Sequence, residues 1–236
     1  MEADRRLRLW RLVVERAVAA RVTLGHVCAV MVAEAGVDGS AVTVLLEPAR
    51  RETLYASDQT ASNLAELTQT LGEGPSVDAV ENGPVLAGDL ATRESLGRWP
   101  SFAPAALDAG VHAAFALPMR VGGIRLGAID LHRAHPGNLS RDQLRDALIL
   151  ADAARLLLLD SAAADGGADV GESFGLQHPE VHQATGMLIV QLGVPATVAL
   201  ARLRAYAYSS NRRLRDVAAD IVARRLRFRA DKNDDH

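Results

Sequence analysis

The sequence predicts an α+β domain built on an antiparallel sheet, followed by a small three-helix bundle. Helix-like and strand-like periodicities interleave irregularly over roughly the first 160 residues. A segment of Gly, Ala, Ser and acids, Ser161–Gln177, then breaks all periodicity, and three short amphipathic stretches rich in arginine follow. The expected division is residues 1–160 as the larger domain, 161–177 as a flexible linker, 178–230 as the bundle, and 231–236 as a disordered tail.

Taken in order, Leu7 to about Ala35 reads as one helix, with Trp10, Val13, Ala17, Ala20 and Leu24 along a face, ended by Gly36. Ala41–Leu46 is a β-branched apolar run, and Glu52–Ser57 returns after the Pro48 turn, which predicts a hairpin. Ser62–Thr70 reads as a helix, and the glycines and prolines of Leu71–Pro84 argue for a structured loop. Pro84–Asp89 is a strand candidate and Pro104–Ala109 a short helix. The clearest hairpin flanks Gly122-Gly123, whose positive φ suits a tight turn, with Phe115, Leu117, Met119 and Val121 on one face. Ser140–Gln143 (SRDQ) fits a capping box that opens a helix to about Asp160. That helix is apolar nearly all round, so it needs cover on two sides, and the same helix of a second chain is the simplest cover. A homodimer is expected.

In the terminal unit, Val181, Ala184, Leu188 and Leu192 form the apolar face of a first helix closed by Gly193. Ala199, Leu203 and Tyr206 with Ala207 line a second, which Pro195 opens. Leu214, Val217, Ala218, Ile221 and Val222 line a third, with Asn211 as its cap. Three one-faced helices cover one another as a bundle. From His178 to Ala230 there are nine arginines against three acids, a net charge of +6, while the rest of the chain carries 17 basic and 26 acidic residues. This uneven split points to a polyanion for the terminal unit. Arg224, Arg225, Arg227 and Arg229 fall at a helix C-terminus, where the dipole already favours cations. Arg212, Arg213 and Arg215 crowd a helix start, where the dipole opposes them, and guanidinium groups beside free N–H groups make a phosphate site.

Several classes are excluded. No run approaches the roughly 20 apolar residues of a membrane span, and the charged N-terminus has no signal-peptide core, so the chain is expected in the cytoplasm and off membranes. The single cysteine, Cys28, excludes an internal disulfide or a cysteine-rich metal site. His112, His132 and His135 are scattered, so no metal site and no cofactor are expected. There is no nucleophile elbow, phosphate-cradling loop or metalloprotease motif, and no enzyme is expected.

Leu71–Val80, LGEGPSVDAV, resembles the LGEGPC-type segment common in actinobacterial GAF domains, with Ser76 where cysteine is frequent. The resemblance implies a GAF domain over about residues 7–160, an antiparallel sheet flanked by helices that senses a signal, holds a small-molecule ligand or dimerises. No NKFDE pattern of cyclic-nucleotide binding is present, and Cys28 lies too early for a thiol-linked bilin.

His178–Phe228 resembles an ANTAR domain, an RNA-binding three-helix module of antitermination regulators. The matching residues are QATGML with Ala184 and Gly186, then Ala199 and Leu203, then SNRRLRDVA with Asn211, Arg212, Leu214, Val217 and Ala218. Thr185 departs from the lysine of many members, and the Gly-rich linker departs from a continuous coiled coil. The resemblance implies RNA contacts from Gln183, Ala184, Thr185, Gly186, Tyr208, Ser210, Asn211, Arg212, Arg213 and Arg215. It also implies the partner, tandem RNA stem-loops read by a dimer so that a terminator does not form. A receiver domain, another partner of ANTAR modules, is excluded because the only lysine is Lys232. Two alternatives stay open: a DNA-binding transcriptional regulator, and a GAF sensory scaffold whose helical tail binds a protein.

Overall fold

A computed structural model describes residues 2–18, 20–47, 50–164, 179–210 and 212–228. The larger unit comprises α1 (Glu2–Ala17), α2 (Leu24–Ala35), β1 (Gly39–Glu47), β2 (Arg50–Ala56), α3 (Gln59–Leu71), α4 (Pro75–Asn82), β3 (Val85–Ala87), α5 (Arg93–Arg98), α6 (Phe102–Asp108), β4 (Ala113–Val121), β5 (Ile124–Arg133) and α7 (Arg141–Ala164). The terminal unit comprises α8 (Pro179–Leu192), α9 (Ala196–Ser209) and α10 (Leu214–Val222).

The five strands form one antiparallel sheet in the order β2-β1-β5-β4-β3. Helices cover both faces. On one, Leu9, Val13, Val27, Met31, Leu150 and Ala154 of α1, α2 and α7 pack on Val42, Phe115, Leu117 and Ile129. On the other, Leu64, Ala79, Phe102 and Ala106 of α3, α4 and α6 pack on Val85, Ala114 and Ala116. β4 is therefore apolar on both sides, with bulky residues toward the first layer and alanines toward the second, as a strand between two layers requires. Gly127 lies where β5 approaches β1: a Cβ there would stand 2.0 Å from the Thr43 carbonyl oxygen, and its φ of +150° suits only glycine.

The capping box holds, since Ser140 N donates to Gln143 Oε1 at 2.8 Å and Gln143 N to Ser140 Oγ at 3.2 Å. Three local expectations are corrected. The single helix over 7–35 is two, because Val18 turns to φ 42° and Thr23 N donates to His26 Nδ1 at 3.1 Å at the start of α2. The Leu71–Pro84 loop contains α4, in which Pro75 opens the helix after Gly74 and Gly83 closes it. The six-residue helix α5 had no expected counterpart; Thr92 caps it by accepting from Ser95 N.

The helix α7 is covered by α2, α1 and β4 of its own chain, leaving Leu148 and Leu156 exposed. The more extensive uncovered apolar face belongs to α1, whose outer side carries Leu7, Trp10 and Val14, with Val18 exposed just past its end, while Leu9 and Val13 face the core. The Gly166-Gly167 helix stop and the 231–236 tail lie outside the described residues, as does most of the 161–177 linker. In the bundle, Val181, Ala184, Leu188, Ala199, Leu203, Leu214, Val217 and Ile221 make a closed core. Truncating one of its large members, such as Leu203, costs about 2–5 kcal/mol.

Candidate nucleic-acid interface

The outer side of α8 carries Gln183, Gly186 and Val190, opposite the core line of Val181, Ala184 and Leu188. A Cβ on Gly186 would meet nothing within 4 Å. Packing therefore does not demand glycine here, although glycine inside a helix costs roughly 0.5–1 kcal/mol relative to alanine. Ala184 is the reverse case: it is 0% exposed in the bundle core, so its side chain cannot touch RNA, and that expectation is corrected to a packing role. The Thr185 hydroxyl donates to the Val181 carbonyl at 2.7 Å, within its own helix.

The α9–α10 turn brings the polar candidates together. Ser210 Oγ donates to the Tyr206 carbonyl at 2.6 Å and Arg212 N donates to the Ala207 carbonyl at 2.9 Å, which folds the chain tightly out of α9. The N-cap of α10 is Arg213, with φ −66° and ψ 142° and no side-chain cap bond. The cap is therefore later than the expected Asn211, which lies outside the described residues. Tyr208 is 61% exposed beside this turn, whereas Tyr206 packs on Phe228 with ring centroids 5.2 Å apart.

The three arginines differ. Arg212 Nη2 donates to Asp220 Oδ2 at 2.7 Å, and this bond holds its guanidinium above the ordinary range. Arg213 Nε and Arg215 Nη1 lie 3.7 and 3.0 Å from the carboxylate of Glu66 on α3. The terminal unit thus touches the larger one through α3, and a cleft of ≈ 280 Å³ between them is lined by Asn63, Glu66, Thr70, Tyr208, Arg212 and Arg213, among others. Arg204 of α9 reaches the same helix end, with Nη1 3.6 Å from where a Cβ on Gly72 would stand. Burial, and then the neighbouring Arg51, pull Arg204 down to about 10. Sequence reasoning missed both Glu66 and Asp220. Glu66 carries no local signal, whereas Asp220 is spaced two helical turns from Arg212.

Residues 177–222 match the family model described as "ANTAR domain". This segment is an ANTAR domain. No curated protein sequence matches the chain. Among solved structures, it is similar to the GAF domain of a phosphoenolpyruvate-protein phosphotransferase from Coxiella burnetii, at 16% identity and TM-score 0.49 over 70% of this chain and 99% of that one. It is also similar to a cyanobacteriochrome GAF domain, at 16% identity and TM-score 0.42 over 60% of this chain and 96% of that one. A third similar structure is Escherichia coli SdiA, at 12% identity and TM-score 0.48 over 92% of this chain and 98% of that one. The chain thus joins a five-stranded α+β unit to an ANTAR domain, a domain of an RNA-binding regulatory family.

Within the GAF-like unit, the space between the sheet and α3, α4 and α6 is a cavity of ≈ 20 Å³ lined in part by Thr68, Phe102, Asp130 and His132. That is room for about one water, far below the roughly 300–1,000 Å³ of small-molecule pockets. Burial of the Asp130 carboxyl raises it to about 7, against a hydrogen bond from Ser76 and the charge of Arg51. Burial lowers His132, against the nearby charges of Asp58 and Asp38. Cys28 is buried and its thiol is raised to about 12 by burial, which makes it inert. Among the described residues no group of three or more His, Cys, Asp or Glu is placed to hold a metal ion, and no single helix is long and apolar enough to cross a membrane.

Proposed function

We propose that the chain is a cytoplasmic, homodimeric RNA-binding antitermination regulator and not an enzyme. Its ANTAR domain binds paired RNA hairpins, and its GAF-like unit dimerises and controls that binding. The observation that carries the RNA reading is the juxtaposition of exposed Tyr208 with Arg212 and Arg213 at the α9–α10 turn of an ANTAR domain. Guanidinium groups supply phosphate contacts, and a neighbouring exposed aromatic ring supplies a stacking surface for an unpaired loop base. Gly186 adds a place where a backbone or base approaches α8 without obstruction. The face of α1 bearing Leu7, Trp10 and Val14 supports the dimer, since a second copy would remove these apolar side chains from water.

The experiment is a binding titration of the full chain against an RNA with two tandem hairpins and against duplex DNA, repeated over a range of salt. Tighter RNA binding is expected, with Arg213→Ala plus Arg215→Ala lowering affinity and flattening the salt slope by about one to two. Equal or tighter binding to DNA would favour a DNA-binding regulator. An affinity and slope indifferent to both arginines would favour a scaffold whose helices bind protein.

A further inference from the structure

The ion pairs that join the two units use the same arginines that the RNA reading needs. Glu66 sits in the middle of α3, with its side chain only 13% exposed. Its Oε1 atom is buried and makes no hydrogen bond. The charges beside it are Arg215, 3.0 Å from Oε1, and Arg213, 3.7 Å from Oε2. A carboxylate drawn this far from water is stabilised only when a counter-charge stays close, and here the ANTAR domain supplies two. This separates the contact from an ordinary exposed surface pair, which contributes little.

We propose that α3 of the GAF-like unit is an internal docking surface for the ANTAR domain, where the Glu66 carboxylate occupies Arg213 and Arg215 and competes with RNA phosphate for them. The inference rests on the RNA-binding reading. In the docked arrangement the Glu66 carboxylate engages both guanidiniums as a phosphate oxygen would, and Tyr208 and Arg213 line a cleft shared with α3. RNA reaches both guanidiniums only after the module leaves α3. The apparent affinity is therefore the intrinsic one multiplied by the fraction of undocked molecules.

The test compares the full-length chain with Glu66→Gln, which keeps size and removes charge, and Glu66→Arg, which reverses it. Two quantities are read: affinity for a tandem-hairpin RNA, and the radius of gyration by small-angle X-ray scattering without RNA. Expected are RNA affinity about fivefold or more above wild type in Glu66→Gln, a larger gain in Glu66→Arg, and an expanded particle in Glu66→Arg. The gap from wild type should narrow as salt rises, since salt screens the docking pairs too. Unchanged or weaker RNA binding in both variants, with wild-type binding intact, overturns the proposal even if the particle expands. If no protein binds RNA, the RNA reading itself fails and the inhibitory role falls with it, while the scattering still reports whether α3 holds the module.

Discussion

Arg212 donates to one oxygen of Asp220 at 2.7 Å while Arg225, beyond the end of α10, donates to the other at the same distance. One carboxylate thus ties the turn before the helix to the turn after it. The two arginine groups that charge alone separates, one at each end, are joined here. The Arg212 bond, and then the Arg225 bond, hold the Asp220 carboxyl below the usual range. A carboxyl lowered in the folded state stabilises above its unfolded value and loses that contribution as pH falls through the folded one. Asp220→Asn should therefore lower the urea midpoint of the full chain at neutral pH, and the difference from wild type should vanish in acid, below the ordinary value of 3.8. A difference that persists unchanged in acid would remove the carboxylate from the explanation.

Gly186 separates folding from binding. Because nothing lies within 4 Å of a Cβ there, Gly186→Ala should stabilise the domain by about 0.5–1 kcal/mol. If RNA approaches α8 closely, Gly186→Leu should weaken RNA binding severalfold without destabilising the fold. Thermal melts and RNA titrations on the same preparations check both; RNA affinity indifferent to leucine would move the interface away from α8.

The two tyrosines of α9 should diverge. Tyr208→Ala should cost about 1–3 kcal/mol of RNA affinity and little stability, as loss of a stacking platform does, with Tyr208→Phe close to wild type. Tyr206→Ala should instead lower stability, because its ring packs on Phe228. Filter binding and denaturant titration distinguish the two patterns, and a Tyr208→Ala variant with wild-type affinity would exclude stacking there.

Much of the larger unit was legible because its signals are local. The Gly122-Gly123 turn, the β-branched run of β1 and the Ser140 capping box each announce their element within a few residues. The α1–α2 break was not legible, because residues 18–23 contain neither Gly nor Pro and the apolar rhythm continues across them. The helix α4 reads as a loop only until its Gly and Pro are seen to bracket it at both ends. At the interface, charge and exposure could be anticipated for Arg213, Arg215 and Tyr208. The Glu66 carboxylate that engages both arginines could not, since tertiary packing, and not spacing along the chain, brings it to them. Small size at Ala184 and Gly186 looks alike in sequence; burial tells them apart.

The outer face of α1 predicts assembly. Val14 is 47% exposed and lies one turn from Trp10 on that face. Val14→Asp should shift the chain from dimer to monomer in sedimentation velocity while its circular dichroism stays that of wild type. A sedimentation coefficient that does not move, or a wild-type chain that is already a monomer, would discard this face.

Burial raises the Asp130 carboxyl to about 7 from 3.8, which predicts a second slope in the dependence of stability on pH. Its proton is bound more tightly in the folded state, so its stabilising effect is complete below about pH 4 and is lost as pH rises toward 7. Asp130→Asn should flatten that decline. Melting temperatures of both proteins across this window measure it, and parallel curves would refute it.

Burial lowers the Arg51 guanidinium against the charges of Asp130 and Glu81, and Arg51 in turn helps to lower Arg204 of the terminal unit. A single guanidinium is thus shared by the electrostatics of the sheet interior and those of the contact between the two units.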